Sequence, residues 1–344
     1  MLTWEINDGP PKAGRHYLRD LKEFNRWFAS EADAVKYLTA VRFRFGPACP
    51  RCGVLITRVG GPRWWCSDCW RWFSVTTGTL LERTKVPFAT WLSVSWFLVQ
   101  TKIGVSALGI RHITGVNYST AWLLLQKMRA ATDQTGREKL SGVIEFNETY
   151  VGGVELGAGG PSPGNRSPVA VACEVTSSDA IGRIRLARLP DASALAIANF
   201  LDQNVDPGSE LLCDDWASHG PALAELTARG LRYSAETTTL SKTAVRAHEI
   251  HPPVHRVASL LKRWLLGTHH GAVTDHHLDA YIDEFVFRFN RRHSRNRGLI
   301  FWRLMCAHRD STDCPRKGVA DETHRSRPHR RSSRHQGCQS AQSS

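Results

Sequence analysis

Ile144-Glu145-Phe146-Asn147-Glu148-Thr149-Tyr150-Val151-Gly152-Gly153 is the stretch on which the fold turns. Apolar and polar residues alternate along it and then meet a Gly-Gly turn, the pattern of a strand that ends among acids. Leu211-Leu212-Cys213-Asp214-Asp215-Trp216 repeats the theme, apolar first and acidic last. Acidic side chains at the ends of adjacent strands are what hard divalent cations require. Two such ions about 4 Å apart can activate an attacking oxygen and stabilise a leaving one in phosphodiester transfer. Either stretch alone says little, because a strand ending in Asp is more often a turn than a ligand.

Around these two stretches the chain has a mixed texture. Short β-rich runs cover 142–146, 169–176 and 183–189, an Ala-rich helix follows over 193–203, and a strand over 210–213 ends in Asp214. Helices resume over 254–266 and 276–290. Three strands, a helix, a strand and further helices predict a mixed α/β sheet flanked by helices across 140–304. Residues 152–168, rich in Gly, Pro and Ser, read as a loop or flexible hairpin. In His255-Arg256-Val257-Ala258-Ser259-Leu260-Leu261-Lys262-Arg263-Trp264, helical geometry puts His255 and Lys262 on one face two turns apart, with Arg256 and Arg263 as a parallel basic pair. Periodicity alone would make this an ordinary solvated face.

Upstream lies a different chemistry. Cys49-Pro50-Arg51-Cys52 and Cys66-Ser67-Asp68-Cys69 are two Cys-x-x-Cys turns separated by thirteen residues. Four thiolates so spaced can close a tetrahedron about one zinc ion, with Trp64-Trp65 and 70–75 as the strands of the hairpin between them. The other readings are four ordinary buried cysteines, or a redox pair that would want a βαβ setting. Four protein ligands leave no open position, so such a zinc is structural. The ribbon spans 45–84, and a helical lead-in spans 18–44.

Ser106 can cap one helix and Asn117 or Ser119 a second, with Gly115 in the turn between them, which predicts a helix-turn-helix within 85–132. Its second helix would carry Asn117, Tyr118, Ser119 and Thr120 to a DNA groove, with Gln126, Lys127 and Arg129 nearer phosphates. An ordinary helical pair in a small core is the competing reading.

The 344 residues leave room for both a binding and a catalytic part. Lys and Arg number 45 against 32 Asp and Glu, a net charge of +13, so a polyanion is the leading partner. The first residues lack the apolar run of a signal peptide, and the most apolar segment, 86–101, is too short to span a bilayer, so a cytoplasmic protein is expected. From 307 to 344 the chain becomes a basic, polar tail, expected to be disordered.

Taken in order, CPRCG (49–53), WWCSDCWRWFSVTTGTLLERTK (64–85), KIGVSALGIRHITGVNYSTAW (102–122), IEFNETYVGG (144–153), CDDW (213–216), VHRVASLLKRWLLGTHHGAV (254–273) and LDAYIDEFVFRFNRRHSRNRG (278–298) resemble the zinc-ribbon insertion-sequence transposases of the ISXO type, in the DDE superfamily. The resemblance covers most of 14–304. It implies a ribonuclease-H-like core, magnesium or manganese at the catalytic site, and cutting and joining of transposon-end DNA by a bacterial, nucleoid-associated protein working as a homodimer on double-stranded DNA. Carried over position by position, the catalytic residues fall on Asn147, Asp214, His255 and Lys262, with Asp214 and His255 as metal ligands and Lys262 on a DNA phosphate. Two positions depart from the family. Asn147 stands where the family has its first catalytic Asp, and an amide lacks the charge that holds hard cations, so impaired catalysis is expected unless Glu145, Glu148 or Asp215 substitutes. Asp215 itself stands where Gly is usual. The tail matches no family ending and reads as shifted-frame sequence. The alternative is a remnant that binds DNA without cutting it, as a repressor would.

Overall fold

The computed structural model describes residues 11–43, 46–56, 63–133, 137–152, 166–176, 180–214, 217–238, 252–271 and 274–307. Asp215, most of the Gly-rich loop and all but the first residue of the tail fall outside them.

A five-stranded sheet occupies the second half of the chain. Its strands are β3 (Val143–Val151), β4 (Ser167–Val175), β5 (Ile181–Arg188), β6 (Glu210–Asp214) and β7 (Ser234–Thr238), arranged β5-β4-β3-β6-β7. The β3-β4 and β4-β5 pairs are antiparallel, whereas β6 runs parallel to β3 and β7 parallel to β6. A parallel neighbour needs a crossover, and α6 (Ala194–Asn204) supplies the one into β6. This is the mixed α/β sheet flanked by helices that the order of strand and helix segments predicts. The strand β7 and the helix α7 (His219–Ala228) carry no strong sequence signal and are additions to the expected order.

Both faces of the sheet are covered, which explains why β3 and β4 are buried nearly throughout. Alternation sends Ile144 and Phe146 toward α6 and α7, where they join Ala170, Ile197, Phe200, Leu211 and Leu226 in one core. Val151, Val169, Val171 and Cys173 face the other way. There they meet Val257, Leu261 and Leu265 of α8 (Pro252–His269) and Ile282 and Phe285 of α9 (Asp275–Phe289). Pro252 and Pro253 open α8, positions where a missing N–H costs nothing. The edge strand β5 is closed off by Asn290, whose side chain accepts from Ile184 N and donates to Ile184 O at 2.8 and 3.0 Å.

The third core belongs to the front of the chain. It gathers α1 (Leu21–Trp27), α2 (Glu31–Arg42), the hairpin β1 (Arg63–Cys66) and β2 (Arg71–Ser74), α3 (Phe88–Gln100), α4 (Ala107–Thr114) and α5 (Tyr118–Ala130). The lead-in is thus two capped helices, with Asp20 and Ser30 accepting from Glu23 N and Asp33 N. The last described helix, α10 (Arg297–Ala307), packs here and not on the sheet: Ile300, Phe301, Trp302, Leu304 and Met305 are buried in this front core. A side chain at Gly298 would come within 1.5 Å of the Leu18 carbonyl oxygen, so only glycine allows this approach.

Front core and sheet domain are locked by charge. Arg129 Nε donates to Glu284 Oε2 at 2.7 Å, the two side chains being 1% and 0% exposed, and the Arg129 guanidinium lies 4.0 Å from the Tyr281 ring centroid. Arg288 reaches Glu284 and, from the same helix, donates to the carbonyls of Leu98 and Lys102 at the end of α3. Arg291 and Arg292 stack on Phe287 and Phe289 and donate to backbone carbonyls. The basic end of α9 is thus spent on holding the fold together.

Breaking a buried pair leaves an uncompensated charge, at a cost of about 3–5 kcal/mol. Glu284→Ala is expected to lower the urea-unfolding free energy by that order, and the double change Arg129→Met, Glu284→Leu to lose markedly less. Equal losses in both would show that packing, not charge, joins the two halves.

Candidate active site and nucleic-acid interface

Residues of β3 with odd numbers face α8, and this face carries the candidate site. Asn147 and Asp214, 67 positions apart in sequence, meet where β3 and β6 run side by side: Asn147 Nδ2 donates to Asp214 Oδ2 at 3.3 Å. Asn147 Oδ1 accepts from the backbone N of Glu148 at 2.7 Å. Glu145, on the same face, accepts from Val254 N at 3.0 Å and so anchors the first turn of α8. His255 is the next residue of that turn, half-buried, and Lys262 follows two turns later on the same continuous helix, exposed. Burial lowers the Lys262 pKa, and the nearby Arg166 lowers it further.

Glu148 points to the opposite face, as strand alternation requires. His219, the first residue of α7, receives it: His219 Nε2 lies 2.9 Å from Glu148 Oε2, and His219 Nδ1 lies 3.1 Å from Asp214 Oδ1. Burial opposes charge on this imidazole, but its bonds to Asp214, Cys213 and Glu148 outweigh it and push the pKa up to about 12. His219 is therefore an imidazolium clamped between two carboxylates. Nothing in the sequence signals it, since its partners come from two other strands.

Both glutamates named as possible substitutes for the missing charge at Asn147 have other partners. Glu145 is committed to the helix N-terminus, where the aligned N–H groups favour a carboxylate, and Glu148 to His219. Asp215 lies outside the described residues. As placed, the donors do not fit a pair of hard cations: one carboxylate, Asp214, meets an amide that turns its N–H toward it, and the neighbouring positive charge is already supplied by His219.

The four thiols of the ribbon do fit a metal. One sulfur from each of Cys49, Cys52, Cys66 and Cys69 lies within 4.8 Å of the others, and Cys52 Sγ and Cys66 Sγ are 3.6 Å apart. Contact with Cys52, then burial, pushes the Cys69 thiol up to about 12. A closed set of four thiols suits a structural ion.

The predicted helical pair is present. Ser106 Oγ accepts from Gly109 N, Gly115 ends α4 at φ 74°, and Asn117 Oδ1 accepts from Thr120 N. Asn117, Tyr118 and Ser119 are exposed, Thr120 half-buried, and Lys127 half-buried with Nζ 5.9 Å from the Trp91 ring centroid. Arg129 is a correction: sealed against Glu284, it has no surface to offer a phosphate. Its place was readable, because positions 121, 124, 125, 128 and 129 form one buried helical stripe. Arg256 and Arg263 are exposed on α8, and Arg263 borders a cleft of about 850 Å³ against Lys102 and Ile103.

Residues 139–290 match the family described as ISXO2-like transposase domain. That stretch of the chain is thus similar to an insertion-sequence transposase domain. A protein in the transposable element ISH50 of Halobacterium salinarum, itself uncharacterized, is 30% identical over 129 residues. That match covers 36% of this chain and 43% of the relative, so less than half of the relative's length is spanned. Among solved structures, the catalytic core domain of BIV integrase is similar at TM-score 0.30 and 16% identity, over 45% of this chain and 86% of that one. A chain of the simian T-cell lymphotropic virus intasome, in complex with a PP2A regulatory subunit, is similar at TM-score 0.31 and 11% identity, covering 65% and 75%. Among the described residues no helix is long and apolar enough to cross a membrane.

Two outcomes follow from the site. The purified protein is expected to hold one metal ion per chain by elemental analysis, and Cys66→Ser to lose it and melt earlier; a metal-free wild type indifferent to chelators would contradict this. Asn147→Asp places two carboxylates in contact and should melt below wild type without divalent ions, recovering on adding magnesium. Equal magnesium responses in both proteins would show that position 147 does not govern ion binding.

Proposed function

We propose that the protein is a transposase that binds the DNA ends of an insertion sequence and cuts and joins phosphodiesters there, with the rate held down in this copy by Asn147. The observation that carries this reading is the contact of Asn147 with Asp214 on neighbouring strands of a transposase-family domain. Supporting it are the related protein within a transposable element, the net charge of +13 and the exposed residues of α5 and α8. Each chemical step would exchange one P–O bond for another: water attack frees a 3′-hydroxyl, and that hydroxyl then attacks target DNA.

In this reading Asp214 is the retained acid, His255 at the start of α8 would complete its ligand set, and Lys262 with Arg256 and Arg263 meets phosphates. Asn117, Tyr118, Ser119 and Thr120 enter a groove, with Lys127 behind them. Magnesium or manganese is the class of ion this chemistry uses, and zinc is the ion for the four thiols. Joining two ends calls for two sites, hence a homodimer on double-stranded DNA, in the bacterial cytoplasm where the element's DNA lies.

A nicking assay on supercoiled DNA carrying the element's ends, with magnesium or manganese, tests the reading. Asn147→Asp is expected to cut at least tenfold faster than wild type, and adding Asp214→Ala to abolish the gain. Robust and equal cutting by wild type and Asn147→Asp would refute the impairment. No cutting by Asn147→Asp under any ion would refute the catalytic reading.

A further inference from the structure

The ribbon hairpin has two faces, and only one is needed for folding. Trp64 and Phe73, paired across β1 and β2, stack at 5.7 Å on the front core. The adjacent cross-strand pair, Trp65 and Trp72, points outward, 39% and 63% exposed, with ring centroids 5.4 Å apart. Trp70, 78% exposed, adds a third indole 6.3 Å from Trp65 and perpendicular to it. Trp70 sits at φ 52°, a left-handed backbone that a bulky residue adopts only at a cost, directly after the ligand-type Cys69. Three contiguous exposed indoles mark an interaction surface, not a fold requirement.

Charge selects the occupant. Arg63 shares the outward face with Trp65 and is exposed, as are Arg51 and Arg71, and none of the three makes an ion pair among the described residues. Asp68 is the only acid between positions 49 and 75. Flat indole faces beside guanidinium groups match the chemistry of unpaired nucleotides, whose bases stack on aromatic rings while arginines meet the phosphates. A duplex keeps its base faces inside the stack and cannot use them. We infer that Trp65, Trp70 and Trp72 form a stacking platform for single-stranded DNA next to a duplex, such as the frayed or cut strand at an element end. The inference rests on the reading that the protein acts on DNA.

The full chain with its metal is titrated with a random-sequence duplex, blunt or bearing an oligothymidine overhang, following tryptophan fluorescence and anisotropy. The overhang should bind about tenfold or more tightly than the blunt duplex and quench the emission, and Trp65→Ala, Trp70→Ala, Trp72→Ala together should erase that preference while leaving blunt-duplex affinity and metal content intact. Trp70→Phe should keep most of it. Equal binding of both probes by wild type would overturn the platform and leave the transposase reading standing, whereas no binding to either probe would overturn both. If the triple variant instead lowers the sedimentation mass and keeps the overhang preference, the indoles join two copies of the chain and the platform is again excluded.

Discussion

The buried pair of Arg129 and Glu284 is the constraint on which the arrangement depends. Two charges removed from water tolerate each other's presence only in one geometry, because a small shift leaves both desolvated and unmatched. Around them Tyr281 offers its ring to Arg129 and Arg288 caps the end of α3. Gly104 lies so close that a side chain there would touch Trp264, Arg288 and Glu284. The outer face of α5 is thereby set at a fixed angle to the strand ends that carry Asn147 and Asp214. If the protein acts on DNA as proposed, the part that reads it and the part that cuts it must agree on register, and a salt bridge between helices would set it.

The acid-ended strands embody a tension between stability and chemistry. Two carboxylates in contact repel unless a cation lies between them. With an amide at 147 the contact becomes a hydrogen bond, and the sheet end is satisfied as it stands. The imidazolium of His219 completes the balance by serving Asp214 and Glu148 from the other side. An arrangement so well matched within the chain has little to gain from capturing an ion.

Much of this was legible in the sequence because it is local. The spacing of Cys49, Cys52, Cys66 and Cys69 brings four sulfurs together through two short turns and one hairpin, whereas Asn147 and Asp214 were joined only by the resemblance, the level at which their strands meet being a matter of register. Glu148 facing away from Asn147 follows from strand alternation alone. The clamp of His219 was not legible, since it depends on how α7 leaves β6 and on a partner 71 positions away. Arg129 was readable but misassigned, because a basic residue suggests phosphate even where helical spacing puts it on the buried stripe. The helix α10 was missed for a related reason: an apolar segment following the sheet domain was counted with it, though its contacts lie near the beginning of the chain.

That return of α10 has a consequence for how the molecule comes into being. Phe301 stacks on Tyr37, and Gly298 touches the backbone at Leu18, so the front core lacks a wall until α10 has been made. During synthesis the early helices leave the ribosome with apolar surface uncovered, and they wait for a partner made some 260 residues later. A chain cut short before α10 would therefore lose the packing of its front core along with that helix.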